Sequence, residues 1–190
     1  MEESGAGSPE EQDKAMLESL FNPRGIALVG ASVTPGKVGF DVLRNLINGD
    51  YAGSIYPVNP KLKEAFGLKC YPDIAGVPDD VQLMVLMVSP KVIPGILRDA
   101  AGGNVDCAIV ITAGFKETGP EGARLEREML EAAREGGIRL LGPNCLGVIN
   151  TYSDLNTTFA AGMPGRGNIG FISQSGALCT AILDWSFENG

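Results

Sequence analysis

The chain has 190 residues, of which 44% are hydrophobic and 20% are charged, as is ordinary for a globular protein. Its net charge of −8 argues against a nucleic-acid partner, because surfaces that bind nucleic acids are rich in Lys and Arg. The sequence contains no histidine, and its four cysteines form no CxxC pair. Neither a zinc site nor histidine-dependent catalysis is therefore expected within it.

The N-terminal stretch Met1–Lys14 (MEESGAGSPEEQDK) is acidic and polar. It lacks the basic start and the apolar run of a signal peptide, and it predicts a mobile tail that leads into a first helix. No later segment approaches the roughly 18 apolar residues of a membrane span. We therefore expect a cytoplasmic protein that has no membrane partner.

Short apolar runs alternate with helix-like segments along the rest of the chain. The runs are continuously apolar, as expected of parallel strands that are covered on both faces. The predicted strands are Gly25–Gly30, Ser54–Val58, Val81–Ser89, Cys107–Thr112, Arg139–Gly142 and Asn168–Ser173. The predicted helices between them are Val38–Asn48, Lys91–Ala101 and Glu121–Glu135, the last with a capping box formed by Thr118 and Glu121. This alternation predicts an α/β fold with a Rossmann-like, doubly wound parallel sheet.

A domain boundary is expected within Ile149–Gly167, where the sequence is polar and rich in turn residues. We assign residues 1–19 to the tail and leading helix, 20–150 to the Rossmann-like domain, and 151–190 to a linker followed by one strand and one helix. A single strand and helix cannot bury a core of their own. We therefore expect them to begin a second α/β domain that is truncated here or completed by another chain.

The segment after the first strand, Val29–Phe40 (VGASVTPGKVGF), has the character of a phosphate-binding turn. Its glycines, Gly30, Gly36 and Gly39, are spaced too widely for the Gly-x-Gly-x-x-Gly fingerprint of dinucleotide-binding folds. A nicotinamide dinucleotide is therefore not the expected ligand. The alternative to a phosphate site is that these glycines only shape a turn.

Two lysines support an anionic ligand at this turn. Free N–H groups and the helix dipole favour an anion at the start of the helix at Val38, where Lys37 adds a positive charge. The second strand ends in Asn59-Pro60-Lys61, with a lysine where an NAD site would need an acid. A phosphorylated ribose is indicated instead, although a solvated Lys37 remains the alternative reading of the first lysine.

The other strand ends contribute further candidate residues, because ligands of such sheets bind beyond the carboxyl ends of the strands. Ser89-Pro90 and Thr112–Gly114 follow two central strands, and Ser89-Pro90 taken alone also fits a plain strand-terminating turn. The loop Gly142–Gly147 is more specific, since it contains Asn144 and Cys145. Cys145 is not expected to be a nucleophile, because no histidine is present to activate it. It is suited to lining a pocket for another thiol or a thioester.

The stretch Ser173–Ala177 passes from the last predicted strand into a helix. Two hydroxyls and the free N–H groups of a helix start make it a candidate oxyanion or phosphate site. The alternative is an ordinary helix N-cap at Ser173 or Ser175.

Six motifs, in this order, resemble the NDP-forming acyl-CoA synthetases, namely the alpha subunit of succinyl-CoA synthetase and, more closely, ADP-forming acetate–CoA ligase. The resemblance extends from about Leu20 to Gly190. The motifs are Val29–Ser32, Pro35–Gly39, Tyr56–Lys61, Ile111–Phe115, Gly142–Gly147 and Ser173–Ala177. The resemblance implies a CoA-binding domain followed by the start of a flavodoxin-like ligase domain.

The resemblance also implies a path for CoA along the strand ends. Residues that would hold the CoA phosphates are Gly30, Ser32, Pro35, Gly36, Lys37, Val38 and Gly39. Those bordering the adenosine end are Val58, Asn59, Pro60 and Lys61, with Lys61 suited to the ribose phosphate. Those along the pantetheine path are Val88, Ser89, Pro90, Ile111, Thr112 and Ala113. Asn144 and Cys145 would lie near the thiol, and Ser173, Ser175, Gly176 and Ala177 would hold the phosphate of a phosphohistidine.

The family reaction passes phosphate from an acyl phosphate through a histidine to ADP. By the resemblance, that histidine lies beyond Gly190, so we expect no catalytic residue and no metal ligand in this chain. ADP or ATP and Mg would be bound only in the complete enzyme, by an ATP-grasp (beta-type) subunit or domain, and the full enzyme is expected to be an oligomer. Two departures matter: Ala113 replaces the glutamate usual in succinyl-specific members, and Gln174 replaces an arginine, as fits the acetate-type branch.

Three other functions are compatible with the same residues. A protein acetyltransferase can carry a ligase-like regulatory half of this kind, and a stand-alone CoA-binding regulator would consist of this module alone. An NADP-dependent oxidoreductase is favoured only by the sheet topology.

Overall fold

The computed structural model describes residues 8–189. Within them the strands are β1 (Gly25–Val29), β2 (Ser54–Val58), β3 (Glu64–Ala65), β4 (Leu68–Lys69), β5 (Leu83–Leu86), β6 (Cys107–Val110), β7 (Arg139–Leu141), β8 (Ile149–Asn150) and β9 (Leu155–Asn156). The helices are α1 (Pro9–Phe21), α2 (Val38–Asn48), α3 (Ile93–Asp99), α4 (Pro120–Glu135) and α5 (Gly176–Asn189).

Five strands form one parallel sheet in the order β2-β1-β5-β6-β7. The chain begins in the middle, adds β2 on one side, and then crosses back to add β5, β6 and β7 on the other. The strand order therefore reverses between β1 and β5, which is where ligands of doubly wound sheets bind. The predicted α/β class and the parallel sheet are confirmed.

The sheet separates two hydrophobic clusters, because successive side chains of a strand point to opposite faces. On one face, alternate strand residues such as Ala27, Met84 and Val110 pack against α3 and α4. On the other face, residues such as Leu28 and Val85 pack against α2 and side chains of α1. Both faces of the sheet are covered, which explains why the strands are continuously apolar.

The N-terminal region differs from the predicted mobile tail. Residues Pro9–Lys14 lie within α1, and Ser8 caps this helix through a reciprocal capping box with Glu11. Further along α1, the Ser19 hydroxyl donates a 2.6 Å hydrogen bond to Asp106, which ties the helix to the sheet. Residues 1–7, also part of the predicted tail, lie outside the described residues.

The helices on the α3–α4 side also differ in detail from the prediction. A 3₁₀ turn at Pro90–Val92 precedes α3, which is shorter than the predicted Lys91–Ala101. The capping box predicted at α4 is not formed: Gly119 is the N-cap residue, and the Thr118 hydroxyl donates to the carbonyl of Phe115. Pro120 at the helix start suffices to fix the first turn.

Two hairpins extend the domain at opposite ends of α2. The β3–β4 hairpin follows β2, and the β8–β9 hairpin follows β7. The buried Asn45 of α2 donates from its amide nitrogen to the carbonyls of Thr158 and Ala160, at 2.8 and 2.7 Å. The chain beyond β9 is thereby held against α2.

The C-terminal segment, residues 164–189, contains α5 but not the predicted strand. Asn168–Ser173 forms no ladder with any other part of residues 8–189. Ile172 is 98% exposed, and no residue of α5 is buried. A strand needs a neighbour to satisfy its backbone, and no described strand lies beside this segment.

Candidate functional site

The loops that follow the five parallel strands lie at one edge of the sheet, and direct contacts link each loop to the next. The Gly30 N–H donates to Val58 O at 2.9 Å, joining the ends of β1 and β2. The Thr112 hydroxyl donates to Val88 O at 2.8 Å, and the Asn144 N–H donates to Thr112 O at 3.0 Å. The Met87 N–H donates to Val29 O at 2.9 Å and joins β5 to β1, so the five loops, with the predicted residues from Val58 to Cys145, lie side by side along one edge.

The turn after β1 depends on two glycines where backbones approach closely. Gly30 has a φ of +96°, and a Cβ there would lie 2.5 Å from Met87 O. A Cβ on Gly39, in the first turn of α2, would lie 2.0 Å from Gly30 O. Only glycine fits at these positions, so the start of α2 rests directly on the end of β1.

The loop between these glycines presents free donors to solvent. Ser32 accepts a hydrogen bond from the Thr34 N–H at 3.1 Å, and residues Pro35–Val38 are exposed. No side chain caps the start of α2, and Lys37 is its N-cap residue. Because the first N–H groups of a helix have no carbonyl partner, this helix start combines free donors, a dipole and a lysine. The arrangement suits an anion.

Asn59 places Lys61 beside this loop. Its amide nitrogen donates to Ala31 O at 2.8 Å, and its amide oxygen accepts from the Lys61 N–H at 2.9 Å. One side chain therefore joins the turn after β1 to the turn after β2. Pro60 and Lys61 are exposed, so the lysine side chain is accessible from solvent at the end of β2.

The middle of the edge is formed by the loops after β5 and β6. Ser89 and Ala113 are exposed, while Val88, Pro90 and Thr112 are partly buried. The side chains of Val58 and Ile111 are buried, at 2% and 7% exposure, so neither side chain is available to contact a ligand.

Glu117 is a polar residue of this edge that sequence reasoning missed. Its carboxylate accepts a 2.6 Å hydrogen bond from the Gly114 N–H, and this bond lowers the pKa of Glu117. A left-handed glycine at 114, with a φ of +106°, aims its N–H at the carboxylate. A Gly followed three residues later by Glu is too common a pattern to have indicated this contact.

The loop after β7 closes the far end of the edge. Asn144 is exposed and has a φ of +54°, a left-handed conformation that asparagine tolerates. The Cys145 thiol donates to Val110 O at 3.4 Å, and burial raises its pKa to about 11. Cys145 is thus protonated at neutral pH and poorly suited to nucleophilic attack.

The structure shows only local hydrogen bonds for the hydroxyls of Ser173 and Ser175 among the described residues. Ser173 Oγ accepts from the Ser175 N–H at 3.1 Å, and Ser175 Oγ accepts from the Leu178 N–H at 3.3 Å. Ser175 therefore caps α5, which is the ordinary role foreseen as an alternative. Gly176 and Ala177 begin the helix and are exposed.

Residues 8–189 contain no group of three His, Cys, Asp or Glu side chains that could hold a metal ion. No helix in that range is long and apolar enough to cross a membrane.

The fold and the edge define a doubly wound α/β domain with an exposed, uncapped helix start beside Lys37 at its switch point. Residues 24–151 match the CoA binding domain family, and the chain belongs to this family. The resemblance found in the sequence is confirmed.

Its relatives include ADP-forming CoA ligases. Acetate–CoA ligase [ADP-forming] I of Archaeoglobus fulgidus is 46% identical over 92% of this chain and 25% of its own length. The alpha subunit of acetate–CoA ligase [ADP-forming] II of Pyrococcus furiosus is 44% identical over 88% of this chain and 36% of its own length. The chain thus spans about a quarter to a third of these relatives.

A solved structure shows the same architecture. Dinucleotide forming acetyl-coenzyme A synthetase 1 of Ca. Korarchaeum cryptofilum, in complex with phosphate and ADP, aligns with a TM-score of 0.86 at 44% identity. The alignment covers 91% of this chain and 37% of that chain.

Proposed function

We propose that the carboxyl edge of the sheet binds coenzyme A, with its phosphates at β1–β2 and its thiol at β7. The observation that carries the proposal is a difference in charge between the two ends of this edge, which we call its polarity. Its β1–β2 end has a free helix start, Lys37 and Lys61, whereas its β7 end has Asn144 and a protonated thiol. CoA has the same polarity, since its phosphates lie at one end and its uncharged thiol lies at the other.

The diphosphate of CoA would lie at the start of α2, on the loop that contains Ser32, Pro35, Gly36, Lys37 and Val38. Gly30 and Gly39 support this loop by allowing the close approach of α2 to β1. Lys61, placed by Asn59 and following Pro60, would pair with the 3′-phosphate. Charge-assisted contacts of this kind are stronger than neutral hydrogen bonds.

The pantetheine arm would run past the loops after β5 and β6. Val88, Ser89, Pro90, Thr112 and Ala113 form this part of the surface, with the backbone of Val58 and Ile111 beneath it. Glu117 lies beside Ala113 and offers a carboxylate oxygen to the amide N–H groups of the arm. The arm would end beside Asn144 and Cys145.

We propose that the chain is the CoA-binding portion of an ADP-forming acyl-CoA ligase. Residues 20–150 would form its CoA-binding domain, and 151–190 would lead into a second domain that covers α5. The helix start at Ser173–Ala177 would there receive the phosphate of a phosphohistidine. An ATP-grasp subunit or domain would bind ADP and Mg in a cytoplasmic, oligomeric enzyme. The chain itself has no histidine to carry phosphate.

Calorimetry with CoA, dephospho-CoA, NADP and NAD tests the proposal. We expect CoA to bind and both nicotinamide dinucleotides to fail. Binding of NADP without CoA would overturn the CoA assignment.

Lys61→Ala tests the placement of the adenosine end. We expect it to weaken CoA about tenfold and dephospho-CoA much less, because only CoA carries the 3′-phosphate. Lys116→Ala is the matched control, because Lys116 is exposed and pairs with Glu126 on α4. Equal losses of both ligands in Lys61→Ala would remove the phosphate assignment.

Cys145→Ser tests the thiol end of the site. It should keep CoA affinity within roughly tenfold, since a hydroxyl can also donate to Val110 O.

A further inference from the structure

Phe66 occupies a backbone position where a bulky side chain is unfavourable. It is the first of two residues that join β3 to β4, with a φ of +53°, and Gly67 follows with a φ of +79°. Two positive φ angles in a two-residue hairpin loop are the pattern of a type I′ turn, which favours Asn-Gly or Asp-Gly. An aromatic residue with positive φ is an outlier that points to a role for the ring itself.

The Phe66 ring is not needed to hold the hairpin to the domain. Ala65 and Leu68, on either side of the turn, belong to the hydrophobic cluster that contains α2. Phe66 belongs to neither cluster and is 40% exposed. Its ring contacts Phe40 of α2, with ring centroids 5.2 Å apart and an angle of 55° between the planes.

The aromatic pair Phe40–Phe66 lies beside the positively charged end of the proposed CoA site. Phe40 is in the first turn of α2, three residues after Lys37. The β3–β4 hairpin begins three residues after Lys61 and includes Lys69. The Arg44 guanidinium lies 5.6 Å from the centroid of the Phe40 ring. Phe66 is the exposed ring of the pair, whereas Phe40 is partly buried. Arg44 also pairs with Asp41 at 3.0 Å, and the Lys69 ammonium lies over the Tyr71 ring, so Lys37 and Lys61 are the lysines that the proposal uses.

We propose that Phe66, supported by Phe40, stacks against the adenine base of CoA. This inference rests on the proposed CoA site. A base needs a flat apolar surface next to cations that hold the phosphates of its nucleotide, and aromatic side chains supply that surface for any base. The exposed ring of Phe66 would contribute stacking, while Lys37 and Lys61 hold the phosphates on either side of the ribose.

Phe66→Asn is the decisive variant. It creates Asn-Gly, the dipeptide preferred by a type I′ turn, so the hairpin should keep or gain stability while the ring is lost. We expect CoA to bind about tenfold more weakly to this variant, which is within the range measured for removal of a stacked aromatic residue. Affinity for 4′-phosphopantetheine, which has no adenine, should change less than twofold.

Phe66→Tyr and Phe21→Ala are the controls. Tyrosine keeps the stacking surface and should retain wild-type affinity for CoA. Phe21, 41% exposed at the end of α1, matches the exposure of Phe66 but lies outside the site, so its removal should change nothing. An unchanged CoA affinity in Phe66→Asn would overturn the stacking role, as would an equal loss for 4′-phosphopantetheine. Failure of the wild-type chain to bind CoA would instead overturn the proposed function itself.

Discussion

The sheet domain and the C-terminal segment differ in what their apolar side chains contact. In the domain, residues such as Ile26, Leu83 and Ile109 are completely buried. In residues 164–189, Ile172 and Trp185 are 98% and 64% exposed. The two regions have similarly apolar sequences, but among the described residues only the sheet domain has helices packed on a sheet that bury its apolar side chains.

Local bonds support the C-terminal helix, none of whose residues is buried. Ser175 caps α5, and the Thr180 hydroxyl bonds back to Gly176 O at 2.8 Å. An isolated helix of 14 residues is marginal in water even with good caps. The exposure of apolar side chains on α5 supports the proposal that a second domain covers this helix.

The largest effect is expected where the domain packs backbone against backbone. Gly39→Ala would place a Cβ 2.0 Å from Gly30 O, so α2 must move away from β1. We expect a loss of about 3 kcal/mol in the free energy of unfolding, or roughly 10 °C in Tm, together with loss of CoA binding. Calorimetry and CoA titration measure both.

Gly95→Ala is the matched control for this substitution. Gly95 lies in α3 with open space around it, so alanine should stabilise the domain by about 0.5 to 1 kcal/mol. Equal free energies of unfolding for the Gly39 and Gly95 variants would show that α2 can accept a Cβ at position 39 without loss of stability.

The next effect is a fall in stability above pH 9. Burial raises the pKa of Cys107 and Cys145 to about 11, from an ordinary value of 9.0. Below pH 9 both states keep these protons, and between pH 9 and 11 only the unfolded chain loses them, so stability falls as the pH rises. We expect a loss of about 2 kcal/mol for both thiols together, less than the full linkage because Cys145 is only partly buried.

Urea unfolding between pH 7 and 11 measures this dependence. Cys145→Ser should remove the share that belongs to Cys145 and leave the share of Cys107. A profile that is flat to pH 11 in the wild-type chain would contradict the burial of the two thiols.

Most of the sheet domain could be predicted from sequence because its signals are local. The bounds of α2 and β2 match the prediction, since Gly49 ends the helix and continuous apolar runs mark the strands. The capping box at Ser8 could also have been predicted, because Glu11 follows Ser8 by three residues. The acidic composition of the region led instead to the prediction of a mobile tail.

What could not be predicted depends on contacts distant in the sequence. Asn168–Ser173 has the composition of a strand, but a strand forms only where a neighbour satisfies its backbone. Asn59 was a predicted site residue, but its bond to Ala31 O joins positions 28 residues apart and could not be predicted. The contact of Glu117 with Gly114 is local, and it was missed because a Gly followed three residues later by Glu is a common pattern. The row of strand ends was predictable because parallel topology alone brings them to one edge.

A smaller effect is expected at the junction between the two regions. Asn45→Ala would leave the carbonyls of Thr158 and Ala160 without their donor inside the domain. We expect a loss of about 1.5 kcal/mol, because buried carbonyls are costly to leave unpaired. Thermal unfolding measures it, with Asn48→Ala, one turn along α2 and exposed, as the control. A loss of the same size in both variants would deny Asn45 this anchoring role.

The smallest effect is expected at the start of the C-terminal segment. Arg166 donates to Thr151 O at 2.8 Å and pairs with Asp154 at 3.0 Å, and both charged side chains are substantially exposed. Arg166→Ala should cost about 0.5 kcal/mol, because exposed ion pairs contribute little. Hydrogen exchange should nevertheless speed up in residues 164–170 while β1 and β5 stay protected, since one anchor of the segment would be lost, leaving the bond from the Tyr152 hydroxyl to Gly167 O, and the core would not change. Asp154→Asn should reproduce the change only in part, because the bond to Thr151 O would remain. Faster exchange throughout the sheet would show instead that the segment and the domain are stabilised as one unit.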